Sequence, residues 1–102
     1  MTTASYPSTT TTTTPVPTTS IYQVKIAGYA FTPSSITVPV GATVTWINQD
    51  QADHTVTSTN VPPTFDRPIA GGATINITFT VPGTYNYICA IHPSMTGVVI
   101  VK

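Results

Sequence analysis

The stretch Cys89-Ala90-Ile91-His92-Pro93-Ser94-Met95 places a thiol, an imidazole and a thioether at the spacing Cys-x-x-His-x-x-Met. Pro93 helps to bend the chain back, so the three side chains can converge on one point. Soft sulfur donors combined with imidazole suit copper, and two histidines and a cysteine in a trigonal set with a long axial methionine are the arrangement of blue-copper electron-transfer centres. That set needs one more imidazole. The chain has 2 histidines, and the other, His54, follows the polar turn Asn48-Gln49-Asp50-Gln51-Ala52-Asp53. Taken singly, a histidine beside a turn is more often a surface residue, and a lone cysteine more often a small buried hydrophobe. The sole cysteine, both histidines and a methionine in one pattern point instead to a metal centre made of His54, Cys89, His92 and Met95. Cys89 would bind as thiolate, its proton displaced by the metal.

Such donors need a rigid support, and the rest of the sequence reads as one. From Ile21 onward the chain consists of short runs rich in Thr, Val and Ile bounded by turn formers, the texture of a β-sandwich or barrel. Strands are predicted over 21–28, 35–40, 42–48, 54–58, 73–80, 84–89 and 97–102, about seven in all. The glycines Gly41, Gly71, Gly72, Gly83 and Gly97 lie in the turns between them. Alternation puts Val44 and Trp46 on one face of their strand, and Ile75, Ile77 and Phe79 on one face of theirs. The core is expected from Ile36, Val38, Val44, Trp46, Ile77, Phe79 and Tyr87. Segment 59–72, with Val61-Pro62-Pro63 and Asp66-Arg67-Pro68, breaks the alternation and reads as a long crossover loop.

Residues 1–20 hold ten Thr, three Ser and three Pro. That composition offers too little apolar surface to offset the entropy of ordering, so the segment is expected to be a disordered tail or linker preceding a single domain over 21–102. Thr tracts with Pro resemble the stalks that separate a surface domain from its anchor. Met1 without an apolar targeting segment behind it suggests a chain trimmed from a longer precursor.

Charge excludes whole classes of partner. Three basic residues, Lys25, Arg67 and Lys102, balance Asp50, Asp53 and Asp66, and charged residues make up 6% of the 102 positions. Soluble domains ordinarily reach about 25%. Nucleic-acid binding by phosphate neutralisation needs clustered Lys and Arg, which are missing. No run approaches the roughly 18 to 20 apolar residues of a membrane helix. With one cysteine no internal disulfide can form. Asn76-Ile77-Thr78 fits a glycosylation acceptor, but it falls in a predicted strand.

Two blocks of residues carry a family resemblance. Phe31-Thr32-Pro33, Ile36-Thr37-Val38, Gly41, Val44-Thr45-Trp46-Ile47-Asn48, Asp50 and His54-Thr55-Val56 resemble the first half of the cupredoxins of the plastocyanin, pseudoazurin, amicyanin and halocyanin family. Pro82-Gly83-Thr84-Tyr85-Asn86-Tyr87-Ile88-Cys89, then His92, Met95, Gly97 and Val99, resemble the second half. The short ligand loop is that of amicyanin and pseudoazurin, and His92-Pro93 is similar to amicyanin in particular. The resemblance implies an all-β Greek-key sandwich, one type 1 copper ion with His54, Cys89 and His92 equatorial and Met95 axial, and single-electron transfer without enzymatic turnover. Two positions depart from it. Thr55 stands where many members have Asn, and a hydroxyl would have to replace that brace. Ile91 stands where many have Pro, which restores a backbone N–H and relaxes the loop's preset geometry.

By the same resemblance the outer edge of His92 would reach the surface among Ile91, Pro93 and the loop residues Val61-Pro62-Pro63, an apolar face for docking redox partner proteins. A monomer working outside the cytoplasm, tethered through its Thr-rich stalk, completes the expectation. Three other readings compete at this point. A structural zinc site would have to use a thioether as its fourth ligand. A Cys-His nucleophile would need an orienting group and an oxyanion pocket. A non-redox adhesion module would merely pack the four residues.

Overall fold

A computed structural model of the chain describes residues 21–102. The Thr-rich segment 1–20, expected to be a tail, lies outside the described residues. Nine strands follow in order: β1 Tyr22–Ala27, β2 Ala30–Thr32, β3 Ser35–Val38, β4 Thr43–Asn48, β5 His54–Ser58, β6 Asp66–Ile69, β7 Thr74–Thr78, β8 Gly83–Ile88 and β9 Thr96–Val101. They form a four-stranded sheet in the order β2-β1-β4-β7 and a five-stranded sheet in the order β3-β9-β8-β5-β6. The pairs β1/β4 and β3/β9 are parallel, and the remaining pairs are antiparallel.

All seven expected strands are present, and two more join them. β2 extends the first hairpin over only three residues. β6 is a correction to the reading of 59–72 as an unbroken loop: residues 66–69 pair antiparallel with β5, His54 facing Ile69 and Thr57 facing Asp66. Pro68 concealed this strand. A proline cannot donate to a ladder, but β6 is the last strand of its sheet, where a missing N–H is tolerated.

Period-2 alternation buries one face of each central strand. Val24 and Ile26 of β1, Val44 and Trp46 of β4, Val56 of β5 and Tyr87 of β8 all turn into the core. Of the seven residues expected there, Val38, Val44, Trp46, Phe79 and Tyr87 are buried, while Ile36 and Ile77 pack against its margin. A fully buried aliphatic or aromatic side chain contributes about 1.5–3 kcal/mol, so the sandwich has its own source of stability apart from any metal. Its two layers are also joined by a polar bond. Trp46 Nε1 on one sheet donates to the Tyr87 hydroxyl on the other at 3.2 Å, buried. Burial disfavours the phenolate and pushes the Tyr87 pKa up to about 12, with the indole N–H opposing in part.

The register fixes which end of the sandwich carries which loop. His54 opens β5 and Cys89 directly follows β8, so both lie at one end. Loop 59–65 leaves β5 at Ser58, four residues beyond His54, or on the order of 13 Å along a strand that rises about 3.3 Å per residue. Val61-Pro62-Pro63 therefore sits toward the opposite end, which corrects the expectation that it borders His92. Apolar residue type along the chain does not reveal at which end of the sandwich a loop emerges; strand register does.

Gly97 faces Tyr87 across the β8/β9 pair. A Cβ at position 97 would run into the Tyr87 ring, so only glycine lets this large side chain lie across the β8/β9 pair. Gly97→Ala is expected to destabilise the domain by about 1–3 kcal/mol through overpacking, read as a lower denaturation midpoint. An unchanged midpoint would mean that the Tyr87 ring is free to move.

Candidate metal centre

His54 is positioned by the turn before it, and Asn48 holds that turn together. The Asn48 side chain accepts the Asp50 N–H at 3.0 Å and donates to the carbonyls of Ala52, Ile69 and Ala70 at 2.9, 3.1 and 3.2 Å. Asn48 is the buried last residue of β4, so its amide replaces the ladder that ends there. The turn at 70–72 presses against the same segment. A Cβ on Gly71 would collide with the Gln51 carbonyl, and the Gly71 N–H donates to Asp53 at 3.1 Å. His54 thus enters β5 from a turn fixed on both sides, with its ring buried.

The other three candidates lie on the hairpin connection between β8 and β9. Three backbone bonds shape it: Met95 N–H to the His92 carbonyl at 2.9 Å, His92 N–H to the Cys89 carbonyl at 3.1 Å, and Cys89 N–H to the Met95 carbonyl at 3.1 Å. Cys89 and Met95 both belong to the buried core cluster, whereas His92 is partly exposed. Thr55, on the neighbouring strand, braces the loop twice. Its N–H points at Cys89 Sγ at 3.3 Å, and its hydroxyl accepts the Ala90 N–H at 2.7 Å. The hydroxyl therefore supplies the brace that an asparagine would otherwise give.

Cys89 Sγ lies 3.6 Å from His54 Nδ1 and 3.8 Å from His92 Nδ1. The ligand atoms of these three residues all lie within 4.8 Å of one another. A first-row metal with bonds of about 2.0–2.3 Å at trigonal angles requires sulfur and nitrogen donors about 3.6–3.8 Å apart. The donor set fits a metal ion, and its chemistry, one thiolate and two imidazoles, fits copper. Met95 lies buried on the same loop, which supplies a thioether beside this donor set.

Electrostatics prepares the donors. His54 Nε2 is 2.9 Å from Asp50 Oδ2. An ionised carboxylate only accepts, so Nε2 carries the proton and Nδ1 turns its lone pair toward Cys89. The Asp50 carboxylate also accepts the N–H groups of Gly28 at 2.9 Å and Tyr29 at 3.0 Å. The Tyr29 N–H first, then His54 and the Gly28 N–H, hold its pKa below the ordinary value against the cost of burial. Cys89 follows the same logic. Burial works to raise its pKa, but the Thr55 N–H, His92 and His54 outweigh it and bring the thiol from 9.0 down to about 6.

Asn48, Asp50 and Tyr29 have no individual role in the sequence reading. Asp50 had a signal, an acidic side chain in the turn that leads into the first histidine. Tyr29 had none, because its place depends on a backbone conformation that spacing does not reveal.

Among the described residues there is no helix, and a two-layer β-sandwich whose strand ends gather one thiol and two imidazoles is the arrangement of small mononuclear copper proteins of the electron-transfer class. A family profile described as a cupredoxin-like domain matches residues 2–101, and the chain belongs to this family. It is similar to amicyanin-alpha of Methylorubrum extorquens, with 34% identity over 84 residues that span 78% of this chain and 71% of the relative. Amicyanin of Paracoccus denitrificans is 34% identical over 90 residues, which span 78% of this chain and 63% of that protein. Among solved structures, a proline-to-glycine mutant of amicyanin in its reduced Cu(I) form at pH 4 superposes with a TM-score of 0.75 at 32% identity, covering 80% of this chain and 82% of that one.

The depressed Cys89 pKa has a direct consequence for the metal-free protein. Between about pH 6 and 9 the unfolded chain binds a proton at Cys89 that the folded chain does not, so stability rises with pH across that window and this contribution is lost as pH falls through about 6. Ultraviolet thiolate absorbance of metal-free protein should titrate with a midpoint near 6, and the pH-dependent gain in melting temperature should vanish in Cys89→Ser. A midpoint near the ordinary thiol value would contradict the hydrogen-bonded placement of Sγ.

Proposed function

We propose that His54 and His92 through Nδ1, Cys89 through Sγ and Met95 through its thioether hold the copper of this single-electron carrier. The observation that carries the assignment is the grouping of the two Nδ1 atoms and Sγ within 4.8 Å of one another. Copper supplies a change between Cu(I) and Cu(II) that takes up or gives back one electron. The chain does the rest. Thiolate and thioether suit Cu(I), the imidazoles suit Cu(II), and the strand ends resist movement between the two states, so the rearrangement that would slow electron exchange stays small.

His92 is the one equatorial candidate that reaches the surface, and exposed Ile91 and Pro93 flank it. This apolar rim is the face on which redox partner proteins dock. Among the described residues no helix is long and apolar enough to cross a membrane. Work outside the cytoplasm, as a monomer held through the Thr-rich segment 1–20, fits both the copper chemistry and the composition of that segment.

Two substitutions test the ligands. Cys89→Ser should abolish the intense visible thiolate-to-copper band, while Met95→Leu should keep copper and colour but raise the reduction potential, since a donor that favours Cu(II) has gone. Loss of copper from Met95→Leu would refute the axial role. Docking has its own test. With net charge +0 and charged residues at 6%, electron exchange with a partner should vary little with ionic strength, because screening acts only on charges that exist. A steep salt dependence would place docking on another face.

A further inference from the structure

Tyr29 stands out on three counts that the copper ligands themselves do not explain. It is the described non-glycine residue with a positive φ, 61°, a left-handed conformation that is strained for a residue with a bulky side chain. It is a large aromatic residue left 52% exposed. And its ring meets both imidazoles edge to face, with centroids 5.0 Å from His54 at 88° and 4.8 Å from His92 at 81°. Since the two imidazole centroids are 5.2 Å apart, the three rings form a nearly equilateral triangle.

Two polar bonds hold the tip that carries this ring. The Asp50 carboxylate accepts hydrogen bonds from the N–H groups of Gly28 and Tyr29 and from His54 Nε2–H. One side chain therefore fixes the hairpin tip and the buried histidine in a common frame. Strain at a backbone position persists where the surroundings over-determine it, and such positions cluster at functional sites. Here the neighbours of the strained residue are the two imidazoles.

We propose that Tyr29 is a positioning residue for the metal centre: its ring keeps His92 in a single orientation and closes the solvent side of the site against small exogenous ligands, with Asp50 holding the ring in place. The inference rests on the copper reading given above. It deepens that reading, because a closed site passes electrons without offering an exchangeable coordination position to a small molecule. Ring contact, not the hydroxyl, performs the role, since the shared geometry is edge to face.

Tyr29→Gly and Tyr29→Phe provide the test. Glycine accepts positive φ without strain, so Tyr29→Gly removes the ring while easing the backbone, and a tip that was merely structural would tolerate it. Phenylalanine keeps the ring and should restore wild-type behaviour. In metal-free protein, the His92 ring signals in nuclear magnetic resonance spectra should be single and sharp in wild type and Tyr29→Phe, and broadened or doubled in Tyr29→Gly. In copper-loaded protein, azide followed by the visible spectrum should bind Tyr29→Gly at least about tenfold more tightly than wild type or Tyr29→Phe, a factor worth about 1.4 kcal/mol. Unchanged His92 signals or unchanged azide affinity in Tyr29→Gly would overturn the proposal. If wild type took up no copper, the copper reading itself would fall, and the metal-free spectra alone would decide the role of Tyr29.

Discussion

Two imidazole nitrogens and a thiol sulfur within 4.8 Å of one another direct lone pairs at a common point, and without a metal that convergence has to be held by something else. Here it is held by hydrogen bonds to His54 and Cys89 and by the backbone bonds of the loop that carries His92 and Met95. Asp50 takes the far nitrogen of His54, the Thr55 N–H points at Cys89, and three backbone bonds coil the loop that presents His92 and Met95. Each of these partners is itself fixed, Asp50 through Asn48 and Thr55 through the ladder of β5. The rigidity of the centre comes from this chain of dependence, which ends in the packed sandwich.

The fold therefore serves the site by geometry more than by composition. β5 and β8 pair only over Thr57-Ser58 and Tyr87-Ile88, so His54 and Cys89 diverge from the ladder just enough to leave room between them. Gly97 and Gly71 permit the two closest approaches behind that space, one beneath the Tyr87 ring and one against the Gln51 carbonyl. The Trp46 to Tyr87 bond joins the layers directly below. A movement of the ligand loop would have to disturb several of these contacts together, so the same side chains would be held alike with Cu(I) or Cu(II) bound.

Much of this was legible in the sequence. The seven principal strands, the inward faces of β4 and β7, and the pairing of distant His54 with the Cys-x-x-His-x-x-Met loop all follow from alternation and residue type. What escaped were features set by three-dimensional register. Pro68 argued against a strand because edge position cannot be seen in one dimension, and Val61 looked like part of the docking rim because its apolarity was visible and its end of the sandwich was not. Asp50 and Asn48 read as ordinary turn residues, since a carboxylate and an amide are common in turns whatever they hold. Tyr29 was silent because a tyrosine after a glycine carries no mark of left-handed backbone.

The near absence of charge completes the physical picture. With little long-range field, the docking proposed for the rim around His92 would rely on shape and apolarity, and the copper potential would be set by the immediate shell more than by distant charges. The central claim is that this shell holds one coordination frame in both oxidation states. X-ray absorption at the copper edge, recorded on oxidised and reduced protein loaded with one equivalent of copper, tests it most directly. The account predicts one short sulfur and two nitrogen neighbours in both spectra, with little change in distance between them. Absence of a short sulfur neighbour, or loss of a nitrogen on reduction, would contradict it.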